Sequence, residues 1–269
     1  MSTEGNRLRP TLRFLLTCWK LNLAGAMEFR MSFLMTAGMM VVNNFVWIFF
    51  WAVYFDRFKV VGGWTLQDVM MLWAVSAGGY GIAATLFGNM NRIAAMAAHG
   101  ELDVYLVQPK PVLLNVLASR MSVSAIGDAA FSVILYAAFG DHTWLGFAKY
   151  ALAHLVAAAI FLFFMVIVGS LAFWFGHAEG LTGQMFNAIL SFSTYPTDIF
   201  KGWGRIVLFT AMPAGFVSYM PIGLMREAVQ VDFLLGALGM SMALAFFAVR
   251  MFYAGLRRYS SGNLMAMRR

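Results

Sequence analysis

Residues with types and spacings suited to chemistry are few in this chain, and most lie within apolar surroundings. Asp128 is the clearest: an ionisable side chain near the middle of a long apolar run. Ser124, Asp128, Ser132 and Tyr136 follow one another in steps of four, one slowly drifting polar stripe on a helix. Gln184, Asn187, Ser191 and Thr194 follow steps of three, four and three, again one helical face. Trp73 and Tyr80 are seven residues apart, on one side of a third apolar helix. A polar stripe in lipid either hydrogen-bonds a neighbouring helix or faces a solvated pathway. For Asp128 the first reading makes Asn43 or Asn44 its partner. The second makes Trp73, Tyr80, Asp128, Gln184, Asn187 and Ser191 the lining of a path, with Trp73 and Tyr80 suited to a bulky apolar molecule.

Other chemistry is missing. No Gly-x-x-x-x-Gly-Lys-Ser/Thr occurs, so the chain has no phosphate-binding loop, and no His-Glu-x-x-His occurs. His99/Glu101 and His177/Glu179 are His-x-Glu pairs without further Cys or His ligands, so no metal site is expected. His154, inside an apolar run, reads as a hydrogen-bonded packing residue. The single cysteine, Cys18, allows no internal disulfide. No catalytic residue is assigned.

The elements that must position these residues are membrane helices. Charged residues are 12% of the chain, against roughly 25% in soluble domains. Hydrophobic residues are 61% and mean hydropathy is +0.74. Apolar runs of about 20 residues, the length that crosses a bilayer as a helix, recur, while period-two alternation is absent. Spans are expected at about Ser32–Phe55, Leu66–Phe87, Val112–Phe139, Ala148–Phe175 and Phe233–Tyr253, with a short one at Leu181–Tyr195. Residues 8–30 carry apolar and basic faces, predicting a helix lying in the membrane surface. Residues 196–225, punctuated by Pro196, Pro213 and Pro221, predict a hairpin dipping part-way into the membrane from the far side. A full span at Arg205–Met225 is the alternative. The fold class is therefore all-α: a single domain, 1–269, of six transmembrane helices with an interfacial helix and a partial hairpin before the last span.

Residues 89–111 lie between the second and third spans and are mixed: a short helix-capable piece, Gly100, two carboxylates, then an apolar patch ended by Pro109 and Pro111. This is a place where a soluble partner could grip the embedded part. With both termini and 89–111 on one side, only Arg57, Lys59, Lys149, Lys201, Arg205 and Arg226, of the 19 Lys and Arg, fall on the other. The positive-inside rule puts the richer side in the cytoplasm, and it explains the net charge of +7 without nucleic acid.

Three stretches resemble permeases of the ABC-2 type, the membrane subunits of a class of ABC exporters. Gly100-Glu101-Leu102-Asp103 and the run into Gln108-Pro109 resemble the segment after the family's second span, with His99 where an acidic residue is usual. Tyr195-Pro196-Thr197-Asp198-Ile199-Phe200, Met212-Pro213 and Tyr219-Met220-Pro221 resemble the part before its last span. Gly255-Leu256-Arg257-Arg258-Tyr259-Ser260-Ser261-Gly262 resembles the tail of one branch, long filed as a domain of unknown function. The resemblance implies a multi-pass protein of the bacterial cytoplasmic (inner) membrane, one of two permeases (homodimer or heterodimer) around one pathway. It implies a separate ABC ATPase that carries ATP and Mg, no cofactor in this chain, and coupling through Arg92, His99, Gly100, Glu101, Leu102 and Asp103. An ion-gradient-driven secondary transporter or channel is the alternative; it would call for paired acidic residues in the spans and an inverted repeat, and neither is evident.

Overall fold

The computed structural model describes residues 5–176, 178–217, 222–223 and 231–260; His177 and most of the stretch before the last helix, with Tyr219-Met220-Pro221 and the tail from Ser261, lie outside them. Among the described residues the regular structure is helical, with one isolated antiparallel bridge between Val61 and Trp64. Four helices among the described residues are long and apolar enough to cross a membrane, or five if one sharply bent pair counts as a span.

Helix α1 (Gly5–Ala26) runs through a single 3-10 turn (Met27–Phe29) into α2 (Arg30–Arg57), with no loop between them. Most of α2 shows large apolar side chains on the outside; it buries Asn44, Trp51 and Phe55. Helix α3 (Leu66–Leu86) is the axis of the fold. It starts on a capping box, in which Thr65 Oγ1 accepts from Asp68 N and the Asp68 carboxylate accepts from Thr65 N. From Val69 to Gly79 every residue of α3 is buried. Its small residues permit this: a Cβ on Gly81 would stand 2.6 Å from Ala129 N, and one on Gly79 would overlap Ala157 Cβ.

The run expected as one span at Val112–Phe139 is broken. Helices α6 (Val112–Ala118) and α7 (Val123–Phe139) meet at 76°, so only α7 continues through the bundle. The break is held by the end of α3: Gly88 N donates to Arg120 O (2.9 Å) and Ser122 N to Ala84 O (3.0 Å). Helix ends leave backbone groups unpaired, and here two ends supply each other's partners. Helix α8 (Trp144–Ser170), capped by Thr143 Oγ1 accepting from Gly146 N and extended by α9 (Ala172–Phe175), matches the expected fourth span. The exposed Asp141 carboxylate, which accepts from Thr143 N and Oγ1, is held below the usual carboxylate range by those bonds.

Helix α10 (Glu179–Ser193) has 15 residues, about 22 Å against a hydrocarbon core of about 30 Å. A 3-10 turn (Thr197–Ile199) and two short helices, α11 (Trp203–Phe209) and α12 (Ala214–Val217), follow. Arg205–Met225 is thus not one continuous helix. The last long helix, α13 (Val231–Leu256), packs on α8.

The α3–α7–α8 core is pinned by a buried polar node. Ser132 Oγ lies 2.7 Å from both Tyr150 Oη and His154 Nε2 and 2.6 Å from Ala74 O, and Tyr150 Oη donates to Ser132 O at 2.9 Å. His154 Nδ1 faces Tyr150 O at 2.8 Å, and its Nε2 also faces Ala74 O at 3.2 Å. A Cβ on Gly78 would overlap the His154 ring, so glycine is what allows the ring to sit there. Ser132→Ala should cost about 1–3 kcal/mol, because buried partners are left without their bond. Its thermal unfolding in detergent, compared with that of wild type, measures this.

Candidate functional site

The first candidate site is the 88–118 segment. A 3-10 turn (Gly88–Asn91), α4 (Ile93–Ala98), α5 (Asp103–Leu106) and α6 fold back on the main bundle. Helix α4 ends because Gly100 takes φ +75° and Glu101 N donates back to Met96 O (3.0 Å), a Schellman ending. That turn places Glu101 against Arg92, Nη2 to Oε2 3.3 Å, closing the segment on itself. Leu102 is 0% exposed, packed with Ala94, Met96, Val116 and Ala178. Tyr105 Oη meets Ser119 Oγ at 2.9 Å, and Asn89 Nδ2 donates to Val116 O at 2.9 Å. Beside Asp103, Tyr259 follows the end of α13; burial and the nearby carboxylate push its hydroxyl pKa up to about 12. Trp19 of α1 donates to Leu86 O and Asn22 to Ala118 O, both at 2.9 Å, so the N-terminal helix also rests on this segment.

Of the six residues expected to couple, His99 and Glu101 face solvent, Arg92 and Asp103 are half-buried, Gly100 shapes the turn, and Leu102 is an internal anchor. His99 lies 3.9 Å from Glu179 at the start of α10. The exposed surface also carries an apolar edge: Val104 and Leu106 are exposed, and Val107 is 84% exposed. They belong to the apolar patch before Pro109 that the sequence places in this segment, but not to the six residues expected to couple. The signal was present: Leu102 and Tyr105 share one face at helical spacing, which turns Val104 and Val107 to the other.

The second candidate site is a cavity of about 350 Å³ between α2, α3, α7 and α10. Trp73, Ser76 and Tyr80 of α3, Ser124 and Asp128 of α7, Asn44 and Trp47 of α2, and Phe186 and Ser191 of α10 line it. Asp128 is 3% exposed, and Asn44 Nδ2 donates to its Oδ1 at 2.7 Å, so Asn44 is the partner. Among the described residues Oδ2 has no hydrogen-bond partner, nor do the buried Trp73 Nε1 and Ser76 Oγ. The α7 stripe therefore splits: Ser124 and Asp128 open on the cavity, Ser132 turns into the node, and Tyr136 stacks on Tyr150 at 4.0 Å. The structure brings Trp73, Tyr80, Asp128 and Ser191 together. Gln184 and Asn187 are exposed on α10, outside this lining, because Thr182, Ile189 and Ser193 are the residues α10 buries. Among the described residues no three His, Cys, Asp or Glu side chains form a metal-binding group.

A helical, multi-pass membrane protein with a packed segment between two spans and a polar-lipped cavity at its centre is the class these features define. Residues 41–262 match the family described as "ABC-2 family transporter protein", and the chain belongs to that family. It is a transport permease, a membrane subunit of a kind that works with an ABC ATPase. Neither the curated proteins nor the solved structures offer a match.

Proposed function

We propose that this chain is the transmembrane subunit of an ATP-driven exporter, forming half of a translocation pathway with a second permease. A separate ATPase binds ATP and Mg and docks on the 89–111 segment from the cytoplasm. In this reading the chain lies in a bacterial inner membrane with both termini inside. Six passes are made by α2, α3, α7, α8, α10 and α13, the short α10 included, with 196–225 re-entering from outside and α1 on the inner surface. ATP-driven closure of the ATPases pushes the segment, which is bonded to the end of α3, and α3 carries that shift to the cavity wall. This is a two-state change biased by nucleotide on another chain. The observation that supports it best is the folded, internally paired 88–118 unit with an exposed apolar edge, a shape made for a partner rather than for water. Trp73, Tyr80, Asp128 and Ser191 are the path residues, with Gln184 and Asn187 on the face open to the second permease.

Reconstitution with its ABC ATPase tests the proposal. Glu101→Lys with Asp103→Lys should leave the protein inserted and ATP hydrolysis running, while transport per ATP falls about tenfold or more, within the usual range of coupling energies. Unchanged transport per ATP in that variant would defeat the coupling role, and substrate movement without any ATPase would defeat the reading as a whole.

A further inference from the structure

The geometry points to a substrate class: the cavity between α2, α3, α7 and α10 takes a hydrophobic organic cation, its protonated amine on Asp128 and its apolar body against the surrounding rings. This rests on the export reading given above. Asp128 brings a carboxylate into an otherwise apolar space, and Asn44 satisfies only one of its oxygens. Leaving a buried carboxylate half-paired is costly, and a bound cation offsets that cost. Among the described residues no Lys, Arg or His lines the cavity to do so from within.

The walls fit the same ligand. Trp47 and Trp73 stack at 5.7 Å, and Tyr80 and Phe186 lie 5.3 Å apart. Aromatic faces carry negative potential and attract organic cations. A single carboxylate among rings is a poor site for Mg or Ca, which require six or more oxygens in their coordination shell. An anionic lipid or acidic peptide would meet repulsion from Asp128. The volume of about 350 Å³ suits a ligand of a few fused or linked rings. Trp73 Nε1 and Ser76 Oγ, on the α3 wall and without partners, favour a ligand that also carries an acceptor such as an ether or hydroxyl oxygen.

Three probes of one skeleton isolate the charge: 2-(2-naphthyl)ethylamine, 2-(2-naphthyl)ethanol and 2-naphthylacetate. Binding to the full chain in zwitterionic nanodiscs, with empty discs subtracted, is measured by equilibrium dialysis near neutral pH. Amine above alcohol above carboxylate is the expected order. Asp128→Asn keeps an oxygen for Asn44 to donate to, and it should weaken the amine about tenfold or more without moving the alcohol. Trp47→Leu, at a side chain 40% exposed and so outside the core, should weaken the amine about threefold. Equal binding of amine and alcohol, no binding of any probe, or an amine preference that survives both substitutions would overturn the proposal. The measurement uses no ATPase, so it separates the two claims. Cation binding without ATP-coupled movement defeats export and leaves the site, whereas coupled export without a charge preference does the reverse.

Discussion

Gly81→Ala should prevent α3 and α7 from packing as they do, with a loss of about 3 kcal/mol or more and little protein surviving extraction. The new methyl would stand 2.6 Å from Ala129 N and 2.9 Å from Ala125 O. Both are backbone atoms of α7 and cannot swing aside, so the helices must separate, and overpacking a tight core costs about 1–3 kcal/mol, sometimes more. The same substitution at Gly38 should do the opposite. Nothing lies within 4 Å of a Cβ there, and alanine in a helix is favoured over glycine by about 0.5–1 kcal/mol. Thermal unfolding of the two variants side by side gives the readout. Equal effects would mean that close approach at Gly81 does not hold the bundle.

Val104→Asp with Val107→Asp should abolish capture of the ATPase, weakening it by about a hundredfold or more. Both side chains are exposed, so the fold tolerates the change, but a carboxylate pressed into an apolar contact has no counter-charge. Co-purification of tagged permease with its ATPase measures this. Leu102→Asp separates docking from folding, because Leu102 is interior and its loss should lower the protein's own stability first. Retained capture by the Val104/Val107 variant would place the docking surface elsewhere.

The two predictions also mark what the sequence could convey. Helices follow from apolar runs of membrane length, and the small residues of α3 announce close packing because in lipid little else drives helices together. That Asp128 pairs with Asn43 or Asn44 was legible for a similar reason, since a carboxyl in an apolar run needs a polar neighbour; the choice of Asn44 came from the packing of α2 on α7. The break at Ser119–Ser122 was not, since it depends on the end of α3 offering backbone partners from more than 30 residues away. Nor was the direction of the α10 stripe. Periodicity shows that Gln184, Asn187 and Ser191 share a face, but contacts with α8 and α12 set which way that face turns. The sequence marks the whole 89–111 segment for a partner, but it does not rank the charged residues against the apolar patch within it. Arg92 and Glu101 satisfy each other, and the exposed edge falls to the valines.

The passage from α1 to α2 through a single 3-10 turn, with non-helical backbone at Phe29, joins the N-terminal helix to one cavity wall in a path without a loop. Asn22, which grips Ala118 O, and Asn44, which grips Asp128, are separated by on the order of 33 Å along it. A shift of α1 against Ala118 is therefore joined by continuous backbone to the Asn44 contact with Asp128, a route that does not pass through α3.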